Sequence, residues 1–440
     1  MDRKRTGEGR YRGFLAILFV CLLAFPVAAQ ERFGELTGVV TDSSGAAIPN
    51  ASVTITNRTT NRSLVFHTIA DGTYLARNLE PGRYSVRFEA KGFATYEVPD
   101  INVLLGKSLK VDASMRVGSI DQVVQVTDQS PLIDTSGTTV AHNVTVEEFD
   151  RLPKTRTFQS LALTSPSVNS GQIEGGIQVN GASGSENQFN IDGTSTNSLV
   201  DGRSRQNAVF EVLQEVQVKT GGIEAEYGGA LGGVISAITK SGGNAFHGDL
   251  HYYYYGNGIS AGPVKRLLLD PSTEATASFV QDDKQKDNNH EVGGSLGGYF
   301  IKDKLWFFTS ASPNFRRRSN DYKFSGGTEP ATLKAEETYW QLFNKLSYSP
   351  TQRLRTNFSW LWSPAKAEGR LPAYNNVANA VTSTLASNAV YQQVGYFQPQ
   401  NNYSGQIDYT ITPTSLVTVR GGRFWDNYKD TGVPAISHAS

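Results

Sequence analysis

Three segments in the second half of the chain alternate between apolar and polar residues without losing phase. Tyr403, Gly405, Ile407, Tyr409 and Ile411 are interleaved with Ser404, Gln406, Asp408 and Thr410. Leu354, Thr356, Phe358, Trp360 and Trp362 are interleaved with Arg355, Asn357 and Ser359, and Trp340, Leu342, Leu346 and Tyr348 share a face opposite Gln341, Lys345 and Ser347. A period of two is that of a β-strand with one apolar face. With aromatics toward the strand ends, it is the pattern of strands that turn one face to lipid and the other to a polar lumen. No long window beyond the N-terminus is apolar enough for a spanning helix. In lipid that leaves a β-barrel, the other structure that satisfies every backbone group internally. The competing reading is a soluble β-sandwich with a heavy aromatic core.

The first 29 residues have the make-up of a secretory signal peptide. Arg3, Lys4, Arg5, Arg10 and Arg12 form a basic head, Phe14 to Phe25 an apolar run, and Val27-Ala28-Ala29 a small-residue cleavage site before Gln30. The apolar run is about a dozen residues, short of the roughly 20 that a membrane-spanning helix needs. Cys21, the single cysteine, lies inside this run, so the exported chain is expected to have no disulfide, thiol nucleophile or cysteine-based metal site. Loss of the leader removes five of 41 basic and two of 41 acidic residues, leaving 36 and 39, a formal charge of −3. That balance gives no reason to expect a nucleic-acid partner.

Residues 33–117 have the spacing of a small antiparallel sandwich. Short runs at Leu36–Thr41, Ala51–Thr56, Leu64–Ile69, Tyr84–Phe88 and Leu109–Met115 are separated by turn signals at Ser44-Gly45, Asp71-Gly72, Pro81-Gly82 and Lys91-Gly92. Within one run, Tyr84, Val86 and Phe88 point to a core, and Ser85 and Arg87 to solvent. The stretches GVVTDSSGAAIPNASVTI and ADGTYLARNLEPGRYSVRFEAKGF resemble the carboxypeptidase-regulatory-like, prealbumin-type fold, often grouped with carbohydrate-binding folds. That resemblance implies a spacer, docking or carbohydrate-binding role and no peptidase activity.

Composition changes again between Gly171 and Gly248, where 16 of 78 residues are glycine, about three times the usual level. Such a chain needs tight turns and close backbone packing. Val216 and Val218 alternate with Gln217 and Lys219, and Val234, Ile235, Ala237 and Ile238 form a second β-prone run. The segment EVQVKTGGIEAEYGGALGGVISAITKSGGNAFHG, with Glu224-Ala225-Glu226-Tyr227-Gly228, Thr239-Lys240-Ser241-Gly242 and Phe246-His247-Gly248 in close order, resembles the end of the plug and the first barrel strand of TonB-dependent outer-membrane receptors. The type it most resembles is Oar-like, with a carboxypeptidase-regulatory-like domain ahead of the plug.

That resemblance implies a mostly β architecture: a prealbumin-like β-sandwich (33–117), a linker (118–131), a small α+β plug domain (132–245) and the first strands of an antiparallel transmembrane β-barrel (246–440). Within the plug, Phe158, Leu161 and Ala162 after Pro153 suggest a short helix over Thr155–Leu163, capped on its N-terminal side. Asn187 to Gly193 alternates and ends in an Asp-Gly turn, like the family's plug strand. In the linker, Asp121, Gln122, Val123, Val124, Gln125, Val126 and Thr127 are the TonB-box candidate. In the family this extended peptide pairs by strand addition with the periplasmic energy-coupling protein. The same valines also read as a last strand of the sandwich, and both readings stay open here.

No catalytic constellation stands out. His247 and His251 share a metal only on a helix, whereas on the strand expected here they lie about 13 Å apart. The cluster Gly228 to Gly233 lacks the strand–turn–helix context of a phosphate loop. Asp282-Asp283 and Glu336-Glu337 read as solvated loop charges. The expectation is a non-enzymatic protein without cofactor or metal, in the outer membrane of a Gram-negative cell with its N-terminal domain in the periplasm. Its expected partners are the TonB protein, outer-membrane lipid, the barrel-assembly machinery and a small solute. Polar stretches such as Gln281–His290 and Asn375–Asn388 are expected as extracellular loops, and Ser349–Gln352 and Thr412–Thr414 as periplasmic turns. Ligand-binding residues are not assignable, and an oligosaccharide, an iron chelate or a peptide are the solute classes considered. An exported adhesion protein that uses the sandwich and transports nothing is the alternative. About eight strands are expected after Ala245, too few to enclose a plug, since plug-holding barrels have about 22. The sequence therefore reads as a fragment or a truncated gene product.

Overall fold

The computed structural model describes residues 33–118, 123–125, 139–149, 151, 156–171, 176–225, 227–269, 276–281, 284, 286–324, 331–371, 374–375, 380–381, 392–412 and 415–432. It is mostly β, in three successive units.

The first unit is a two-sheet sandwich. One sheet places Gly34–Asp42 between Thr73–Leu79 and the short strands Ser108–Lys110 and Ala113–Met115. The other runs Ser63–His67, Ser52–Asn57, Gly82–Glu89, Thr95–Val103, Val123–Gln125. Leu36, Val40, Val53, Ile55, Tyr74, Val86 and Phe88 fill the space between them. Tyr84, Val86 and Phe88 point inward and Arg87 outward, as the alternation predicts. Two strands were not foreseen. Thr73–Leu79 carries the apolar Leu75 on its outer face between Thr73 and Arg77, which blurs its alternation, and Thr95–Val103 has a weak burial pattern that hides its period. The single expected run Leu109–Met115 is split in two.

The second unit is a mixed sheet in the order Val140–Thr145, Leu213–Gly221, Val234–Thr239, Gln188–Ile191, Thr194–Ser195. Val234–Thr239 is buried along its whole length and pairs antiparallel with Leu213–Gly221 and parallel with Gln188–Ile191. Asp192 and Gly193, with φ of 47° and 75°, close the hairpin from Ile191 to Thr194; glycine adopts such a left-handed conformation without strain. The helix is shorter than expected, Phe158–Ala162, and buries the three predicted residues. Thr157 stands at its N-cap without a side-chain hydrogen bond to the helix, and Pro153 and Thr155 lie outside the described residues.

The third unit is a curled antiparallel sheet. Among the described residues it has seven long strands, once collinear pieces are joined, and two two-residue strands, Tyr374–Asn375 and Ala380–Val381, of which the latter pairs in parallel with the end of Asn314–Phe324. The first two long strands are His247–Gly256 and Lys286–Ile301. The other five are each interrupted midway, at 312–313, 340–341, 363–364, 399 and 427–428. Three of these breaks hold a proline, Pro313, Pro364 or Pro399, which has no N–H to give to a ladder. The breaks lie side by side: Ser312 N–H donates to Gln341 O at 2.8 Å, Trp340 N–H to Pro364 O at 3.0 Å, and Ser363 N–H to Gln400 O at 3.0 Å.

Burial on this sheet is inverted relative to a soluble one. Along Gln400–Thr412 the polar Gln400, Asn402, Ser404, Gln406 and Asp408 are buried, while Tyr403, Ile407, Tyr409 and Ile411 are exposed. Leu250, Tyr252 and Tyr254 sit exposed on one face of the first strand. That is the arrangement of an apolar outer band around a polar interior. No helix among the described residues is long and apolar enough to cross a membrane. Connections at 302–304 and 349–353 are short and those on the opposite rim, 257–285 and 369–394, are long. Two loop expectations are corrected. Lys286–His290 belongs to a strand and not to a loop, and Glu336 and Glu337 lie on Ala331–Tyr339, where Glu337 pairs with Arg318. Asp282, Asp283, Pro413, Thr414 and most of Asn375–Asn388 lie outside the described residues.

Candidate functional site

The polar face of the curled sheet receives the second unit, the plug expected from the sequence. Its contacts gather at the row of strand breaks, where side chains freed from regular pairing reach inward. Gln341 Oε1 accepts Val209 N–H at 2.9 Å, Gln400 Nε2 donates to Arg205 O at 2.6 Å, and Ser363 Oγ accepts from Gln206 Nε2. Lower on the wall, Lys345 Nζ donates to Thr239 O at 3.0 Å and lies 3.5 Å from Asp192 Oδ1, while Ser404 Oγ donates to the Asp192 carbonyl at 2.9 Å. Asp192 also accepts from the Thr239 N–H and hydroxyl. Among the described residues, the buried apolar side chains of the wall that join the plug core are Phe308, Phe343 and Leu361.

Toward the long-loop rim, plug and wall line an open cavity of about 270 Å³. Arg156 and Asn207 line it from the plug, and Tyr255, Asn289, Arg316 and Tyr339 from the wall. Arg156 bridges the two units at its base, with its Nε 3.1 Å from both Glu291 carboxylate oxygens and Nη1 on Glu211 Oε1. Its guanidinium lies over the rings of Phe210 and Tyr253, at 4.3 and 4.0 Å from their centroids. Burial alone lowers the affinity of Arg156 for its proton, but the hydrogen bonds to Glu291 and Glu211 outweigh that and raise it. Arg316 is held by Asp287 at 2.6 Å. In contrast, Asn207 Oδ1 and Asn289 Oδ1 are buried with no hydrogen-bond donor among the described residues. The cavity thus offers two open acceptors beside aromatic rings and neutralised cations.

The two histidines of the first barrel strand do not converge on each other. His247 stacks on Phe308, and His251 bonds Asp249 through Nδ1 at 2.8 Å. The ligand atoms of His251, Glu211 and Glu291 instead lie within 4.8 Å of one another, a grouping from three separate segments that no sequence spacing could reveal. Arg156 already supplies the positive charge between those carboxylates.

The residues that carried the plug resemblance are structural. Tyr227 is buried beneath Lys219, whose Nζ is 4.8 Å from the ring centroid and 2.8 Å from Glu224. Gly242 passes so close to the carbonyls of Gly298 and Phe307 that a Cβ there collides with both.

On the short-turn rim the sandwich docks against plug and wall. Glu80 meets Arg355 at 3.3 Å and Asn357 at 3.1 Å, and Leu105 is buried against the plug. Burial alone raises the Glu80 pKa, but Arg355 and Lys345 more than offset this and hold it below the usual carboxylate value. Of the TonB-box candidate, Val123–Gln125 forms a strand parallel to Thr95–Glu97; Asp121, Gln122, Val126 and Thr127 lie outside the described residues.

Residues 35–116 match the carboxypeptidase regulatory-like domain and residues 238–439 an outer membrane beta barrel domain. The chain is 31% identical over 308 residues to the TonB-dependent transporter Oar of Myxococcus xanthus, a match covering 67% of this chain and 28% of that one. The chain therefore spans well under half the length of that relative. Among solved structures, the outer membrane transporter YddB from Escherichia coli superposes with a TM-score of 0.49 at 15% identity, covering 65% of this chain and 38% of that one. The siderophore receptor PirA from Acinetobacter baumannii gives 0.46 at 18% identity, covering 64% and 39%.

Proposed function

The chain is an outer-membrane β-barrel protein of the TonB-dependent receptor type, with a carboxypeptidase regulatory-like domain ahead of its plug, and from that premise we propose that it takes up a scarce solute by energy-coupled displacement of the plug. Residues 1–29 serve as the export signal, 132–245 as the plug, and Asp121–Thr127 as the segment that the TonB protein pulls, with energy from the inner-membrane proton gradient. The observation that carries this reading is the seating of the plug. It is held against a polar wall mainly by hydrogen bonds and ion pairs such as Lys345–Asp192 and Arg156–Glu291. Such contacts re-form after displacement in a way that a torn apolar core does not, because water satisfies the separated groups in the interim. Among the described residues, the first plug strand after the pulled segment is Val140–Thr145, at the edge of its sheet and paired there to Leu213–Gly221 alone. Tension from the linker therefore reaches a strand that can peel.

The solute enters from the long-loop rim, which faces outside, and meets the cavity at Arg156. Two open amide acceptors and the rings of Tyr255 and Tyr339 suit a solute rich in hydrogen-bond donors, which fits an oligosaccharide or a peptide better than an anionic chelate. The test is accumulation of labelled oligosaccharides, peptides and ferric chelates by cells with and without a protonophore. Replacing Asp121–Thr127 with a Gly/Ser linker is expected to abolish protonophore-sensitive accumulation while surface binding persists. Unimpaired accumulation removes the box assignment. Retention of ligand by residues 33–117 alone, insensitive to the gradient, favours the adhesion alternative.

A further inference from the structure

We propose that the N-terminal sandwich is a latch on the plug: docked on the short-turn rim it holds the strand Leu213–Gly221 in the closed position, and the plug leaves only after the sandwich undocks. This rests on the uptake reading for its purpose, but not for its geometry.

Three sets of contacts make the latch. The first centres on Leu105, at the turn after Thr95–Val103. Its N–H lies 3.2 Å from both carboxylate oxygens of Glu215, and its carbonyl accepts from Gln217 Nε2 at 2.6 Å and Asn143 Nδ2 at 2.9 Å. Glu215 and Gln217 belong to Leu213–Gly221 and Asn143 to Val140–Thr145, so one sandwich residue ties two neighbouring plug strands together. The second joins the Pro81 carbonyl to Gln214 Nε2 at 2.7 Å, one residue from Glu215. The third fixes the sandwich to the barrel. Asn244 donates to the Thr59 and Thr60 carbonyls at 2.8 and 2.9 Å, Arg62 donates to Gln352 O at 2.6 Å, and Glu80 pairs with Arg355 at 3.3 Å.

With the sandwich pinned to the rim, the plug strand that it grips cannot shift without breaking these bonds. The interface is nonetheless separable. Apart from Leu105 and Phe33, which lies 5.0 Å beneath the Arg355 guanidinium, the contacts named are polar, as in interfaces that open and close. The linker is also placed to open it. Val123–Gln125 pairs with Thr95–Glu97 at one end of the strand that leads to Leu105, so tension on the linker loads the sandwich before it reaches the plug.

The test uses a reversible lock. A Cβ on Gly243 falls against the side chain of Thr59, within the reach of a disulfide. The variant Thr59→Cys/Gly243→Cys, in a full-length background otherwise free of cysteine, is purified in detergent and its amide hydrogen exchange compared oxidised and reduced. Exchange in Val140–Thr145 and Leu213–Gly221 is expected to slow at least tenfold on oxidation and to recover on reduction, while the outer barrel strands do not change. Equal rates in the two states overturn the latch. If the cysteine pair does not fold, Glu80→Ala/Gln214→Ala supplies the opposite arm: faster exchange in the same two strands supports the latch, and wild-type rates overturn it. Neither arm involves TonB or a solute, so the latch fails or stands independently of the linker-replacement experiment. In cells, protonophore-sensitive accumulation by the oxidised variant shows that uptake proceeds with the sandwich docked and overturns the latch alone.

Discussion

Asp192 and Lys345 face each other at 3.5 Å across the seam between the plug hairpin and the barrel wall, and both side chains are almost sealed from solvent. Removing one partner leaves the other charge buried, a loss of about 3–5 kcal/mol, whereas removing both leaves none. Lys345→Met is expected to loosen the plug, read as faster protease cleavage within residues 187–239. Asp192→Asn added to it restores much of the resistance, since the amide still accepts from Thr239. A single variant as resistant as wild type removes the pair from the seating.

Arg156 holds two carboxylates, one from each unit, with a geometry that only a guanidinium supplies. Nε faces Glu291 while Nη1 reaches Glu211. Arg156→Met is expected to weaken plug seating by about 3–5 kcal/mol, and Arg156→Lys to recover little, because one ammonium cannot reproduce the fork. Denaturant unfolding of the plug, followed by tryptophan-independent labelling of a reporter cysteine at Ser198, measures both. Full recovery in the lysine variant rules out the fork and leaves charge alone.

The outward face of the sheet makes a sharper distinction between membrane and soluble architectures. Ile407 is 48% exposed and lies between Thr356 and Val419 on neighbouring strands. On a lipid face, Ile407→Arg costs about 2–4 kcal/mol near the bilayer midplane, and Ile407→Leu almost nothing. The folded fraction in outer membranes, from heat-modifiable gel mobility, is expected to fall for the arginine variant only. A soluble sandwich tolerates arginine at so exposed a position.

What the sequence revealed and what it hid follow from how local each signal is. The period of two along Gln400–Thr412 is written in adjacent residues, so strand, inner face and outer face were all legible. The Asp192-Gly193 turn and the buried face of Phe158–Ala162 were legible for the same reason. The row of strand breaks was not. Pro313, Pro364 and Pro399 lie in separate strands, and only sheet register brings them to one level, where Gln341, Ser363 and Gln400 reach the plug. The Arg156 bridge likewise joins residues 55 and 135 positions apart. Docking of the sandwich was hidden because Leu105, Pro81 and Thr59 bond mainly through backbone groups, which leave no trace in side-chain identity.

Glu215 gives the docked sandwich a pH dependence. Burial pushes its carboxyl up from 4.5 to about 7, with the bonds from Asn143 and Leu105 and the nearby Lys107 opposing the shift. A raised pKa means that the docked form binds the proton more tightly than a solvated one. The stabilisation is therefore complete below about 4.5 and is lost as pH rises through about 7. Between pH 5.5 and 7.5 docking is expected to weaken by roughly an order of magnitude. Glu215→Gln, neutral throughout, flattens that dependence and keeps the sandwich docked at both values. A pair of spin labels at Arg58 and Arg353, on the sandwich and the short-turn rim, reports the docked fraction as a short-distance population. If wild type and Glu215→Gln give the same profile across this range, the titrating group is not Glu215, and the latch is insensitive to the pH of its compartment through this residue.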